Sequence, residues 1–144
     1  MLGKLSLAFA LMAFCVTLHS MGLTTILHRL RVRAAHGAHG FGPSAWWMIR
    51  VAAWTVLLHL LQILSWAIAY RAGNAMPDFT TAAYFSAVTY TTTGYGDLVL
   101  PKDWRLVGGV EALTGILMCG LSTGMFFAVF SKIFRLGEGI TSTK

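Results

Sequence analysis

The chain has 144 residues, of which 56% are hydrophobic and only 11% charged. A soluble domain carries about 25% charged residues, so this composition excludes an ordinary water-soluble globule. The net charge of +6 does not point to nucleic acid either. Arg29, Arg31, Arg33 and Arg50 flank the first two apolar runs, and Lys132, Arg135 and Lys144 follow the third, with no aromatic residues alternating among them.

Three runs, Leu5 to Leu27, Val51 to Tyr70 and Leu106 to Phe130, contain a single charged residue, Glu111. Each holds 20 to 25 residues, about 30 to 37 Å of helix, which matches a hydrocarbon core of roughly 30 Å. The expected class is an all-α membrane protein with three transmembrane helices. The first run continues through Ile26 and Leu27 with no Ala-x-Ala site after it, and bulky Phe14 before Cys15 does not suit lipoprotein cleavage. Residues 1–28 therefore read as a retained, additional N-terminal transmembrane helix. Cys15 and Cys119 fall in different apolar runs, with no zinc-site or disulfide spacing, and read as small packing residues.

Residues 29–45 read as a charged, then glycine-rich connector on the cytoplasmic side. His28, His36 and His39 have no carboxylate or cysteine partner in the sequence around them, so a solvated loop outweighs a metal site. The arginines recur every second residue, which puts them on opposite sides of a helix. A voltage sensor repeats every third residue within an apolar helix. Trp46 and Trp47 mark one membrane interface, and Trp66 with Tyr70 the other.

Arg71 to Arg105 lie between the second and third runs. Pro77 and Asp78 predict a helix start, the proline pre-organised and the aspartate a good cap. The following FTTAAYFSAVTYT, Phe79 to Thr91, covers about 20 Å as a helix, too short to cross a bilayer. It fits a re-entrant element or a surface helix between spans. Residues 92 to 97 then read Thr-Thr-Gly-Tyr-Gly-Asp. Two glycines flanking a tyrosine permit torsions that let successive carbonyls point the same way. Non-helical backbone at membrane depth is tolerated where protein buries it or where it lines a watery cavity. A row of carbonyls replacing a cation's hydration shell is the known use of such backbone.

In these residues the chain resembles the tetrameric potassium-channel pore family, whose filter consensus is Thr-Val/Ile-Gly-Tyr-Gly-Asp. Thr92, Gly94, Tyr95, Gly96 and Asp97 match it, and Thr93 stands where valine or isoleucine is usual. The resemblance covers about Val51 to Phe130 and places a pore domain at residues 46–131, followed by a short cytoplasmic tail at 132–144. It implies potassium bound by the hydroxyl and carbonyl of Thr92 and the carbonyls of Thr93, Gly94 and Tyr95, with Gly96 shaping the outer mouth. It implies a fourfold homotetramer too, because one chain carries one filter segment. Tyr84 and Phe85 fall where relatives have an aromatic cuff, and Tyr84 is placed to bond Asp97 behind the filter. Val88 stands where some relatives have a glutamate paired with that aspartate.

By the same resemblance Gly115 is a hinge candidate in the inner helix, although small residues for close packing account for most of its five glycines. Thr123 falls at a cavity-facing position, and helical spacing adds Cys119, Ile116 and Ala112 to its stripe. Glu111 lies about 120° away around the helix and should face protein. Intramembrane carboxylates are usually paired or functional; Gln62, at comparable depth on the preceding helix, is a candidate partner, and a structural hydrogen bond outweighs a gating role. His59 reads as a satisfied neutral histidine.

In this family the inner helix ends in the cytoplasm, which places the N-terminus outside. Seven Lys/Arg then lie inside and four outside, as the positive-inside rule expects. The expected function is passive, potassium-selective conduction across the cell membrane. The alternatives are a weakly selective cation channel and a non-conducting regulatory subunit of another channel. No nucleophile–base pair or metal cluster suggests an enzyme. No cofactor is expected beyond potassium as the permeant ion, and no nucleic-acid partner. The 14-residue tail after Phe130 has no room for a ligand-binding domain, so gating is expected from the pore, lipid, pH or a separate partner.

Overall fold

The computed structural model describes residues 2–35 and 41–141. Among these residues the regular elements are four helices: α1 (Leu2–Ala35), α2 (Phe41–Ala72), α3 (Phe79–Tyr90) and α4 (Arg105–Thr141). Three stretches, Leu2–Arg29, Ala45–Ala72 and Lys102–Ser131, are long and apolar enough to cross a membrane. A lipid environment offers no water to unpaired backbone groups, so a helix that pairs them within itself is the available choice.

The helices outrun the apolar runs. α1 continues through the arginines to Ala35, into the segment whose composition reads as connector. Hydropathy falls at the membrane boundary, but Arg and Ala are good helix formers and no glycine or proline intervenes before Gly37. α2 opens at Phe41 with Pro43 in its first turn, where a missing N–H breaks no intrahelical bond. His36, His39 and Lys144 lie outside the described residues. α4 runs on to Thr141, so the expected tail begins as helix.

α2 stops by a paired closure. The Ala75 N–H bonds the Tyr70 carbonyl at 2.9 Å and the Asn74 N–H bonds that of Arg71 at 3.2 Å. Asn74 takes the left-handed conformation this closure needs, with φ 52°. Six residues separate the end of α2 from the start of α3. Its cap is Asp78, whose carboxylate accepts the Thr81 N–H at 2.8 Å and the Thr81 hydroxyl at 2.7 Å. Pro77 precedes this cap instead of standing in the first turn. The helix ends at Tyr90, one residue short of the expected Thr91, which becomes its C-cap.

Cross-helix contacts give the topology. α1 pairs with α4 in parallel: Lys4 forms an ion pair with Asp103, His19 meets Ser122, and Ile26 packs with Met125 and Val129. α2 runs antiparallel to α1, with His19 beside Gln62 and Ile26 beside Val51. α3 starts where α2 ends and descends until the Tyr90 ring reaches His59, about midway along Ala45–Ala72. The chain then returns to Arg105 at the same end from which α3 set out. That is a re-entrant element, and the bundle core around it is built from Trp66, Tyr70, Ala82, Tyr90, Trp104 and Met118.

The α3 cap generates a direct test. Asp78→Ala should lower stability, with Asp78→Ser restoring most of it, in thermal unfolding of the detergent-solubilised protein. The Thr81 backbone N–H, then its hydroxyl, hold the Asp78 carboxyl below its ordinary 3.8. The contribution is therefore complete above that pH and is lost as pH falls through the lowered value.

Candidate functional site

The site is built where α3 ends. Tyr90 is the last residue of α3, and its carbonyl group lies against Gly115 of α4 so closely that a Cβ there would overlap it. Gly115 is thus a close-approach position, and α4 passes through it as continuous helix. The Tyr90 ring, 1% exposed, enters a cycle of side chains drawn from all four helices. Gln62 Nε2 donates to His19 Nδ1 at 2.9 Å, and His19 Nε2 meets Ser122 Oγ at 2.9 Å. Ser122 Oγ meets His59 Nε2 at 3.0 Å, and His59 Nδ1 meets the Tyr90 hydroxyl at 3.0 Å. The Tyr90 hydroxyl donates to Gln62 Oε1 at 2.5 Å and closes the cycle.

Proton bookkeeping fixes the direction. Gln62 Nε2 can only donate, so His19 carries its proton on Nε2 and passes the donor role to Ser122. His59 then accepts from Ser122 on Nε2 and donates from Nδ1 to Tyr90. Within the cycle each member gives one bond and takes one, with one proton on each imidazole and the Ser122 proton shared between His59 and the Met118 carbonyl, 3.0 Å away; the tautomers are assigned from this closure. Polar groups in a membrane interior cost little when paired in this way and much when left alone. His59 has the partners expected of a histidine within a span, and His19, for which none were expected, has them too. Its signal was available: a histidine within an apolar run needs a partner.

Glu111, fully buried, has partners other than the expected Gln62. It accepts from the Tyr70 hydroxyl at 2.6 Å and lies 2.5 Å from the Ser86 hydroxyl. Ser86 Oγ is also 2.8 Å from the Ile63 carbonyl. One hydroxyl proton cannot serve both acceptors, whereas a protonated Glu111 donating to Ser86 satisfies every oxygen. Gln62 is committed to His19 and Tyr90. Together, Glu111 and the cycle tie α3 to α2 and α4.

Beyond Tyr90 the chain leaves helical geometry with a regular pattern. Thr92, Gly94 and Gly96 have φ of 58°, 56° and 78°, and no other residue from 91 to 97 has positive φ. Glycine permits this at two of the positions. Thr92, β-branched, is an outlier of a kind that costs about 1–3 kcal/mol and persists only when its surroundings hold it. Here the Thr92 N–H bonds the Thr89 carbonyl at 3.0 Å and the Gly94 N–H bonds that of Val88 at 3.2 Å. Thr91 Oγ1 donates to the Ala87 carbonyl at 2.7 Å and lies 2.9 Å from Thr93 Oγ1. At the far end the Tyr84 hydroxyl donates to Asp97 at 2.7 Å, which raises the tyrosine's pKa above its ordinary 10. Residues 91 to 97, Tyr95 among them, are exposed on a single chain.

On α4, Ile116, Cys119 and Thr123 are exposed and Ala112 is half-buried, whereas Glu111 faces the core. Cys15 is buried. The Glu111 geometry makes a prediction: Glu111→Gln should fold like the wild type, because an amide donates to Ser86 and accepts from Tyr70. Glu111→Ala should lose about 2–3 kcal/mol, chiefly from the orphaned Tyr70 hydroxyl, as measured by thermal unfolding in detergent.

The description "Ion channel" belongs to a family model that matches residues 54–132, more than half of the chain. The chain is similar to the potassium voltage-gated channel protein Shal of Drosophila melanogaster, at 34% identity over 68 residues. It is also similar to the potassium voltage-gated channel protein shk-1 of Caenorhabditis elegans, at 39% identity over 62 residues. These alignments take in 46% and 42% of this chain and 12% of each relative. The chain thus matches only a small part of those proteins. No solved structure matches it significantly. A short helix ending at mid-span, a non-helical return, the span after them and most of the span before them lie within the matched residues, and the chain belongs to the ion-channel family, with a pore of the potassium-channel kind.

Proposed function

We propose that four copies of this chain assemble around an axis and conduct potassium passively and selectively, with residues 92–96 as the filter. The observation that carries this reading is the positive φ at Thr92, Gly94 and Gly96. Alternating the handedness of successive residues turns their peptide planes so that carbonyls collect on one side of the ribbon. Four such ribbons would offer rings of oxygens from Thr92, Thr93, Gly94 and Tyr95, with the Thr92 hydroxyl below, to replace the ion's water. Gly96 shapes the mouth, and the Tyr84–Asp97 bond braces the ribbon from behind.

Electrostatics supports the same placement. The aligned peptide dipoles of α3 leave about half a negative charge at its C-terminal end, delivered to mid-membrane. A cation pausing there is stabilised; an anion is repelled. The exposed stripe of Ile116, Cys119 and Thr123, with Ala112, would line the cavity below. The filter end and the N-terminus share one side of the bundle, and we assign it to the cell exterior because seven of the eleven Lys/Arg then lie inside. Gly115, packed on Tyr90, would serve as a hinge only if the filter base moved with it.

Two experiments test the reading. Gly96→Ala should abolish selective potassium uptake into liposomes while the protein still inserts, because alanine resists φ 78°. Retained potassium-over-sodium selectivity in that variant removes the carbonyl-filter assignment. A thiol-reactive cation applied from the C-terminal side should reduce current, and Cys119→Ser should abolish the block. Equal block of Cys119→Ser, or no block of the wild type, moves the stripe away from the ion path.

A further inference from the structure

At the end of the bundle away from the filter, a cavity of about 90 Å³ lies between α1 and α2. Arg29 enters from α1, and Trp47, Arg50 and Trp54 enter from one face of α2 at helical spacing. Arg29 is the last residue of its span and Arg50 stands in the second turn of the next, so both lie at the same boundary of the apolar layer. The Arg50 guanidinium sits over the Trp47 ring at 5.4 Å, which fixes its direction. Trp54 is anchored through Nε1 to the Gly22 carbonyl at 3.3 Å. The floor is apolar, formed by buried Ile26 and Val51.

No acidic side chain lines this cavity among the described residues. Two arginines from different helices therefore line one space, with no carboxylate among its lining residues. Setting membrane orientation requires positive charge on this side, but it does not require two charges to converge from different helices. A phosphate meets the need: arginine binds it bidentately, tryptophan suits the depth of the glycerol backbone, and an apolar floor suits the adjoining acyl carbons.

We propose that this cavity binds the phosphodiester headgroup of an anionic phospholipid, held by Arg29 and Arg50. Net negative charge is the selective feature, because the ammonium of a choline headgroup would be brought against the same two arginines. A lipid held there bridges the additional helix α1 to α2, the first span of the family-matched region.

Native mass spectrometry of the detergent-solubilised protein, titrated with phosphatidylglycerol and with phosphatidylcholine, tests this. The wild type should bind phosphatidylglycerol more tightly than phosphatidylcholine. Arg29→Gln/Arg50→Gln should weaken phosphatidylglycerol about thirtyfold, the factor that two basic residues at a membrane surface supply together, and leave phosphatidylcholine unchanged. Should the double variant fail to fold, Arg50→Gln alone should weaken it about fivefold. Excess glycerol 1-phosphate should not displace the lipid. Unchanged phosphatidylglycerol affinity in the variants, or equal binding of the two lipids by the wild type, overturns the proposal. Displacement by glycerol 1-phosphate also overturns it and assigns the cavity to a free phosphate.

Discussion

The seat of Tyr90 sets the position of everything that follows it in the chain. A helix of 12 residues can reach only partway across a bilayer, and nothing in its own hydrogen bonding determines where it stops. Two contacts do. Its last carbonyl rests on the bare Cα of Gly115, and its terminal ring closes a cycle with His19, His59, Gln62 and Ser122. One is a steric stop and the other a directional lock. A substitution at either would displace the origin of residues 92–96.

The membrane explains why this lock is polar. In water, burial of apolar area would hold α3 in place. In lipid the surroundings are as apolar as the side chains, so packing and paired polar groups must supply specificity. A typical pair of this kind contributes only about 0.6 kcal/mol, but each member left unpaired in hydrocarbon costs more than that. The five-membered cycle and the Glu111–Ser86–Tyr70 cluster therefore act chiefly against alternative placements of α3. The strain at Thr92 becomes intelligible on the same basis. A β-branched residue holds positive φ because the hydrogen bonds of Thr92 and Gly94 tie the ribbon to the last turn of α3, which is itself fixed.

Much of this was legible in the sequence, for reasons that separate cleanly. The spans follow from uncharged length, the start of α3 from Asp78, and the torsions of Gly94 and Gly96 from the absence of a Cβ. The helix ends were less legible, because hydropathy reports the membrane boundary while backbone bonding continues past it into the arginines of α1. Thr92 was not legible at all: its side chain argues against the torsion it adopts. Gln62 is not the partner of Glu111 because it bonds His19 and Tyr90, whereas the carboxyl is met by Tyr70, two turns further along α2, and by Ser86, one turn before Tyr90 on α3. His19 lies in an apolar run, which signals a need for partners, but their identity was not legible: Gln62 comes from α2, and Ser122 lies 103 positions away on a parallel helix.

The selectivity of the assembled pore bears most directly on the whole account. Wild-type protein reconstituted in a planar bilayer, with potassium on one side and sodium on the other, gives a reversal potential that depends only on relative permeability. A potassium-selective filter gives a large displacement from zero, with the potassium compartment negative. A reversal potential near zero would mean that the ribbon from Thr92 to Gly96 passes both cations alike, and would contradict the carbonyl filter.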